Sequence, residues 1–323
     1  MKKRVLLLTG AFLTAIVLLT INACKKSDTT TPDTSTTSAT DNNTADTRNT
    51  EVVNIGSQAI DNSAITTMKG KEGLGGVLTP QSGTVSVTGD TSGRIFTVIF
   101  TAFVGMDGHL RNGKIVYDYT GSYRKAYWYR DSGLVLNITT PGNTYTVDGN
   151  TIEINTKTIK NLGRITSGNL TWNDNSNITI VQTGGKGTIQ WQCNRTQVLL
   201  NTNAINYTAD DGTSGTSPYP AVFNGYGGGA LNCINWPEAI VSFSGSFNGT
   251  ASDGTTYTGS VSTSSPLILN FNCTPMYTRF VFNSGILTFT PAGKLTRTIN
   301  YGNGVCDMIV NVSIGSWNTN ITL

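Results

Sequence analysis

The side chains that could carry chemistry are few. His109 is the one histidine, and it stands between Asp107 and Arg111 in a stretch rich in turn residues. One imidazole cannot build a His-based zinc site. A Ser-His-Asp arrangement would have to use His109, and no nucleophile-elbow pattern accompanies it. Asp118 and Asp131 flank an aromatic stretch and could face one another as the two carboxylates of glycoside hydrolysis. The glutamates beyond the leader are Glu51, Glu72, Glu153 and Glu238. Asp90 and Asp210-Asp211-Gly212 offer oxygen ligands of the kind calcium takes, without the register of an EF-hand loop. Turn formation accounts for them. This inventory predicts no catalytic constellation, no metal centre and no cofactor.

Two stretches suit binding better than catalysis. Tyr123-Arg124-Lys125-Ala126-Tyr127-Trp128-Tyr129-Arg130, drawn as a strand, puts Tyr127 and Tyr129 on one face and Trp128 and Arg130 on the other. Exposed aromatics interleaved with cations suit a stacked sugar ring or an acidic glycan. The same residues could instead pack across strands with snorkelling cations. The second stretch is Ser214 to Glu238, with Tyr219, Phe223, Tyr226 and Trp236 around a Gly-rich run. Long loops often carry function. The run is no phosphate loop, because no Lys-Ser/Thr follows it. The candidate ligand contacts are therefore Tyr127, Trp128, Tyr129, Arg130, Tyr219, Tyr226 and Trp236, with a glycan or an envelope protein as the expected partner.

The elements that must position these residues read as strands. Ile95 to Val104 and Lys114 to Tyr119 flank Asp107-Gly108, and Asp-Gly tolerates the positive φ that tight hairpins need. The first run is apolar on both faces, with Phe96, Val98, Phe100 and Ala102 on one and Ile95, Ile99 and Phe103 on the other. It is expected to be interior and buried on both sides. Turn signals such as Asp148-Gly149-Asn150, Asp253-Gly254 and Asn303-Gly304 recur between Thr-, Ile-, Val- and Tyr-rich runs. They predict an all-β fold, an antiparallel hairpin-rich β sandwich or an open, strongly curled β sheet.

The N-terminal part is organised differently. Residues 1–23 read as a leader, with Lys2, Lys3 and Arg4 before an apolar run too short for a membrane span. Residues 24–50 follow as Cys24 and a Thr/Ser/Asp-rich tether with almost nothing to bury, expected to be disordered. Residues 51–76 are transitional, with Val52, Val53 and Ile55 as a short edge strand and one helical turn within Ser63–Met68. The all-β domain spans 77–323. Without Lys2, Lys3 and Arg4 the basic residues equal the nineteen acids, which is not the field of a nucleic-acid binder.

Asp107-Gly108-x-x-Arg111-x-Gly113-Lys114-Ile115, Tyr119-x-Gly121-x-Tyr123, Tyr145-x-Val147-Asp148-Gly149-Asn150-x-Ile152 and Asn300-Tyr301-Gly302-Asn303-Gly304-Val305-Cys306-Asp307 together resemble a group of uncharacterised lipoproteins of Bacteroidota-type bacteria. The resemblance covers about residues 90 to 323. It implies an all-β exported lipoprotein, cleaved before Cys24 and acylated there, so that the partner is a membrane reached through a lipid anchor. Lys25 beside the anchor points to the outer membrane, and Asp28-Thr29-Thr30 resembles an O-glycosylation site. Members often carry a cysteine just before the Asp-Gly turn; here Phe103, Val104, Gly105 and Met106 stand there. Four further cysteines allow three pairings in an oxidising compartment. The resemblance implies Cys273 with Cys306, which leaves Cys193 with Cys233. The expected function is a cell-envelope lipoprotein with a binding or structural role. A lipid or apolar-ligand carrier built on an open β barrel is the second reading, and a secreted glycan hydrolase the third.

Overall fold

The structure, a computed structural model, describes residues 33–61, 78, 80–89, 94–119, 133–166, 169–200, 205–208, 214–217, 223–225, 232–234, 240–270, 273 and 282–322. The chain divides into two compact units, Met1–Thr34 and Ser35–Leu323. In the first, Asp33 and Thr34 alone are described, so the leader, Cys24 and Asp28-Thr29-Thr30 lie outside the described residues.

Among the described residues, the second unit holds one α-helix, α1 (Thr37–Asp61), and a large antiparallel sheet. The strands are β1 (Pro80–Gly89), β2 (Ile95–Gly105), β3 (Leu110–Tyr119), β4 (Val135–Thr139), β5 (Thr146–Val147), β6 (Asn150–Thr166), β7 (Asn169–Val181), β8 (Thr188–Leu199), β9 (Ile205–Thr208), β10 (Ser214–Ser217), β11 (Phe223–Gly225), β12 (Asn232–Ile234), β13 (Ile240–Thr250), β14 (Thr256–Val261), β15 (Leu267–Asn270), β16 (Phe282–Pro291), β17 (Arg297–Asn303), β18 (Ile309–Ile314) and β19 (Trp317–Thr322). The order is β1-β2-β3-β4-β6-β7-β8-β13-β14-β16-β17-β18-β19, with β5 against β3 and β6, and β15 against β13 and β16. Hairpins β9–β10 and β11–β12 form separate pairs, and β8 bonds directly to β13 across that excursion. The fold is thus all-β and antiparallel, in the open, curled form rather than a two-sheet sandwich.

Local chemistry explains the hairpins. Asp148 and Gly149 adopt φ of 50° and 80°, the pair of positive values a two-residue turn between β5 and β6 requires. Phe96, Val98 and Phe100 of β2 are buried, but Ile99 is 36% exposed, so the strand buries one face and not two. Ile95 and Ile99 stay on the less buried face, and Phe103 is separated from them by a bulge between Phe100 and Phe103, where Ala102 takes φ 43°. The bulge moves Phe103 to the buried side, 5.4 Å from the Phe100 ring. β2 is paired on both sides, to β1 and β3, yet lies one strand from the sheet edge.

Residues 37–50 are not a disordered tether, and Val52, Val53 and Ile55 are not a strand; all belong to α1. Thr, Asn and Asp are weak helix formers, and α1 has no clean apolar stripe. It is buried nonetheless: Asn42, Ala45, Asp46, Asn49, Glu51, Val52 and Ile55 are each at most 2% exposed. The composition argument fails because it counts only apolar burial. Here polar helix side chains meet polar side chains on the inner face of the sheet. Gly56 lets the backbone approach; a Cβ there would lie 2.3 Å from the Tyr117 ring.

Cys273 and Cys306 form a disulfide, with Cα atoms 5.2 Å apart, as the resemblance implied. It closes a separation of 33 residues, worth about 3–4 kcal/mol in the chain-entropy model. Cys306→Ser is expected to lower the unfolding free energy by about that much in urea melts. An unchanged midpoint would show that the bridge adds nothing. Cys193 does not pair with Cys233: it is a free, buried thiol. Strand alternation points it at α1, within 4.0 Å of Asn49 Nδ2.

Candidate functional site

The residues singled out for ligand contact fall outside the described residues: Tyr127, Trp128, Tyr129 and Arg130 within 120–132, and Tyr219, Tyr226 and Trp236 within 218–222, 226–231 and 235–239. Asp131 is also among them. Cys233 lies in β12, with its side chain outside what is described. Asp118 is on the sheet and pairs with Arg94 at 2.9 Å. His109 is a turn residue whose Nδ1 is 2.6 Å from Asp148 Oδ2, while the Leu110 N–H donates to Asp148 Oδ1 at 2.9 Å. Partial burial opposes ionisation of Asp148, but these two contacts hold its carboxyl below the ordinary range. His109 therefore joins two hairpin turns.

The structure instead concentrates chemistry in the seam between α1 and the sheet. β8 supplies it by strict alternation. Ile189, Trp191, Cys193, Arg195, Gln197 and Leu199 are buried, while Thr188, Gln190, Gln192 and Asn194 are exposed. β7 adds Trp172, Asp174 and Ser176 to the same face. On β6, Ile152 and Ile154 point inward, then a bulge between Ile154 and Thr156 shifts the alternation. Lys157, Ile159 and Asn161 become the buried residues in consequence. Lys157 lies opposite Ser176, which lies opposite Cys193, and Asp174 lies opposite Arg195.

Along α1 the seam has three groups. Near the N-terminus, Asp41 Oδ2 accepts from the N–H and hydroxyl of Ser252, each at 2.7 Å, and the Trp191 indole N–H donates to Asn42 Oδ1 at 2.9 Å. In the middle, Asp46 faces Arg195 at 2.5 Å, whose guanidinium also lies 5.1 Å from the Trp191 ring centroid. Beside it, Lys157 Nζ donates to Asn49 Oδ1 at 2.7 Å and to both Asp174 oxygens at 2.9 and 2.8 Å. Toward the C-terminus, Arg111 bridges Glu51 and Asp107, Arg48 also pairs with Glu51, and the Tyr117 hydroxyl donates to the Val52 carbonyl at 2.7 Å.

The electrostatics follow from this pairing. Burial favours the neutral form of Glu51, but the Arg111 and Arg48 guanidiniums outweigh it and hold the carboxyl at about 2. Burial pushes the Asp46 carboxyl up from its ordinary value despite Arg195. Burial also pushes the Cys193 thiol up to about 12, which makes it a poor nucleophile.

Lys157, Asp174 and Arg195 escaped the sequence reading because Lys and Asp among Thr and Asn look like a solvated strand face. The one available signal was on β8, where Trp191, Cys193 and Arg195 share a parity. Compared with known proteins, the chain matches no family model, no curated protein and no solved structure.

Proposed function

We propose that the chain is a cell-envelope lipoprotein, anchored in the outer membrane through acylated Cys24, whose β domain has a binding or structural role. The leader residues Lys2, Lys3 and Arg4, the apolar run after them and Ala23-Cys24 support the anchor. The observation that carries the role of the domain is the occupation of the inner face of the sheet by α1. A carrier of apolar ligands needs that face for its cargo, and a ligand there would have to displace buried ion pairs. A filled sheet is a scaffold that presents its outer face and loops.

The test has two parts. Intact-mass measurement of protein extracted from membranes is expected to find Cys24 as an acylated N-terminus; another N-terminus, or no acyl mass, overturns the anchor. Trp128→Ala is expected to weaken retention on immobilised envelope glycans while leaving the unfolding midpoint nearly unchanged. A stability loss of about 3–5 kcal/mol, the size of a buried aromatic deletion, with retention unchanged would make Trp128 a packing residue.

A further inference from the structure

We infer that Asn49 of α1 and Lys157 of β6 are set to join in an intramolecular amide bond that the protein forms by itself, with Asp174 carrying the protons. The inference is independent of any ligand. Three residues from three elements converge: Lys157 Nζ lies 2.7 Å from Asn49 Oδ1 and 2.8 Å from Asp174 Oδ2. Asp174 Oδ2 also accepts from Asn49 Nδ2 at 3.1 Å. One carboxylate thus touches both the incoming nitrogen and the nitrogen that would leave. Asn49, Lys157 and Asp174 are each at most 2% exposed.

An amine and a carboxamide in water do not condense, because the amine is protonated, the leaving group is poor and the encounter is brief. The seam places a proton acceptor, Asp174, against the attacking nitrogen and against the nitrogen that would leave, and it holds amine and carboxamide together. The fixed approach acts as an effective concentration, which for well-oriented groups reaches about 10⁵–10⁸ M. Asp174 is itself held by Ser176 Oγ and by Gln197 Nε2, the latter at 3.1 Å; these are positioning residues.

The step balances without a co-reactant. Asp174 takes one proton from Lys157 Nζ, and the freed electron pair attacks Asn49 Cγ, moving the carbonyl π pair onto Oδ1. Asp174 then delivers its proton to Nδ2 and takes the second proton from the attacking nitrogen. The carbonyl re-forms, the Cγ–Nδ2 bond breaks and ammonia departs, leaving with that last proton as ammonium. Nothing is oxidised or reduced. The product ties the N-terminal helix to the sheet across 108 residues of sequence.

Peptide mapping of the purified, reduced full chain tests this directly. The expected result is a branched peptide joining the segments that contain Asn49 and Lys157, and an intact mass lower by one ammonia. Lys157→Arg and Asp174→Asn are expected to restore the full mass. Loss of ammonia by succinimide formation at an Asn-Gly step gives no branch, so mass loss without a branched peptide overturns the proposal. Separate linear peptides for both residues in the wild-type chain also overturn it, whatever the folding of the variants. A branch that persists in Asp174→Asn overturns the proton-carrying role of Asp174.

Discussion

Replacing Arg195 by alanine is expected to cost about 3–5 kcal/mol of unfolding free energy, a large share of the 5–15 kcal/mol of an ordinary domain. The guanidinium is 1% exposed and is the partner of Asp46, which is fully buried, at 2.5 Å. Without it Asp46 must stay charged and unpaired or take up a proton, and it loses its contact either way. Arg195 also packs against the Trp191 and Phe247 rings, 5.1 and 5.5 Å from their centroids, so the truncation leaves a gap as well. The pair is imperfect: among the described residues Asp46 Oδ2 and Arg195 Nη2 have no hydrogen-bond partner. Continuum reasoning and measured triads favour apolar replacements at such sites. The double variant Asp46→Leu/Arg195→Met is therefore expected to recover most of the loss in denaturant melts. A double variant as weak as Arg195→Ala would show that the cost lay in packing rather than in the orphaned charge.

Acid should unfold the domain through Glu51. Its folded value of about 2 lies below its ordinary value of 4.5. A depressed carboxylate contributes stability that is fully present above the unfolded value and is lost as the pH falls through the folded one. The window is therefore from about 4.5 down to about 2, and the contribution is on the order of 3 kcal/mol. Glu51→Gln keeps the shape but leaves Arg111 and Arg48 sharing a neutral amide. It is expected to lose about that much at neutral pH and to flatten the pH dependence within the window. Thermal melts between pH 2 and pH 7 decide it. A variant whose stability falls as steeply as the wild type assigns the acid sensitivity to groups other than Glu51.

The strands were legible because their signals are local. Asp107-Gly108 and Asp148-Gly149 mark turns whatever the rest of the chain does, and β8 alternates cleanly. The helix was not legible, since Thr37 to Asp61 offers weak propensity and little to bury in isolation. Its reason for being a helix is stored in Arg111, Lys157, Trp191 and Arg195, far along the chain. The seam was hidden for a second reason. The bulges at Phe100–Phe103 and Ile154–Thr156 each shift the parity of a strand, so alternation counted from the strand start assigns Phe103 and Lys157 to the wrong face.

The distances in sequence between α1 and its partners also set a timetable. Glu51 finds Arg111 after 60 residues, Asp46 finds Arg195 after 149, Asp41 finds Ser252 after 211 and Asn43 finds Tyr301 after 258. The first described element of this unit is thus the last to be completed, and the long loops to be closed place folding with the slow, non-local topologies. A slow-folding chain usually exposes sticky apolar surface while it waits. Here the waiting helix is rich in Thr, Asn and Asp and needs no partner to stay in water. Its polar side chains let it remain solvated until the far end of the chain arrives to enclose it.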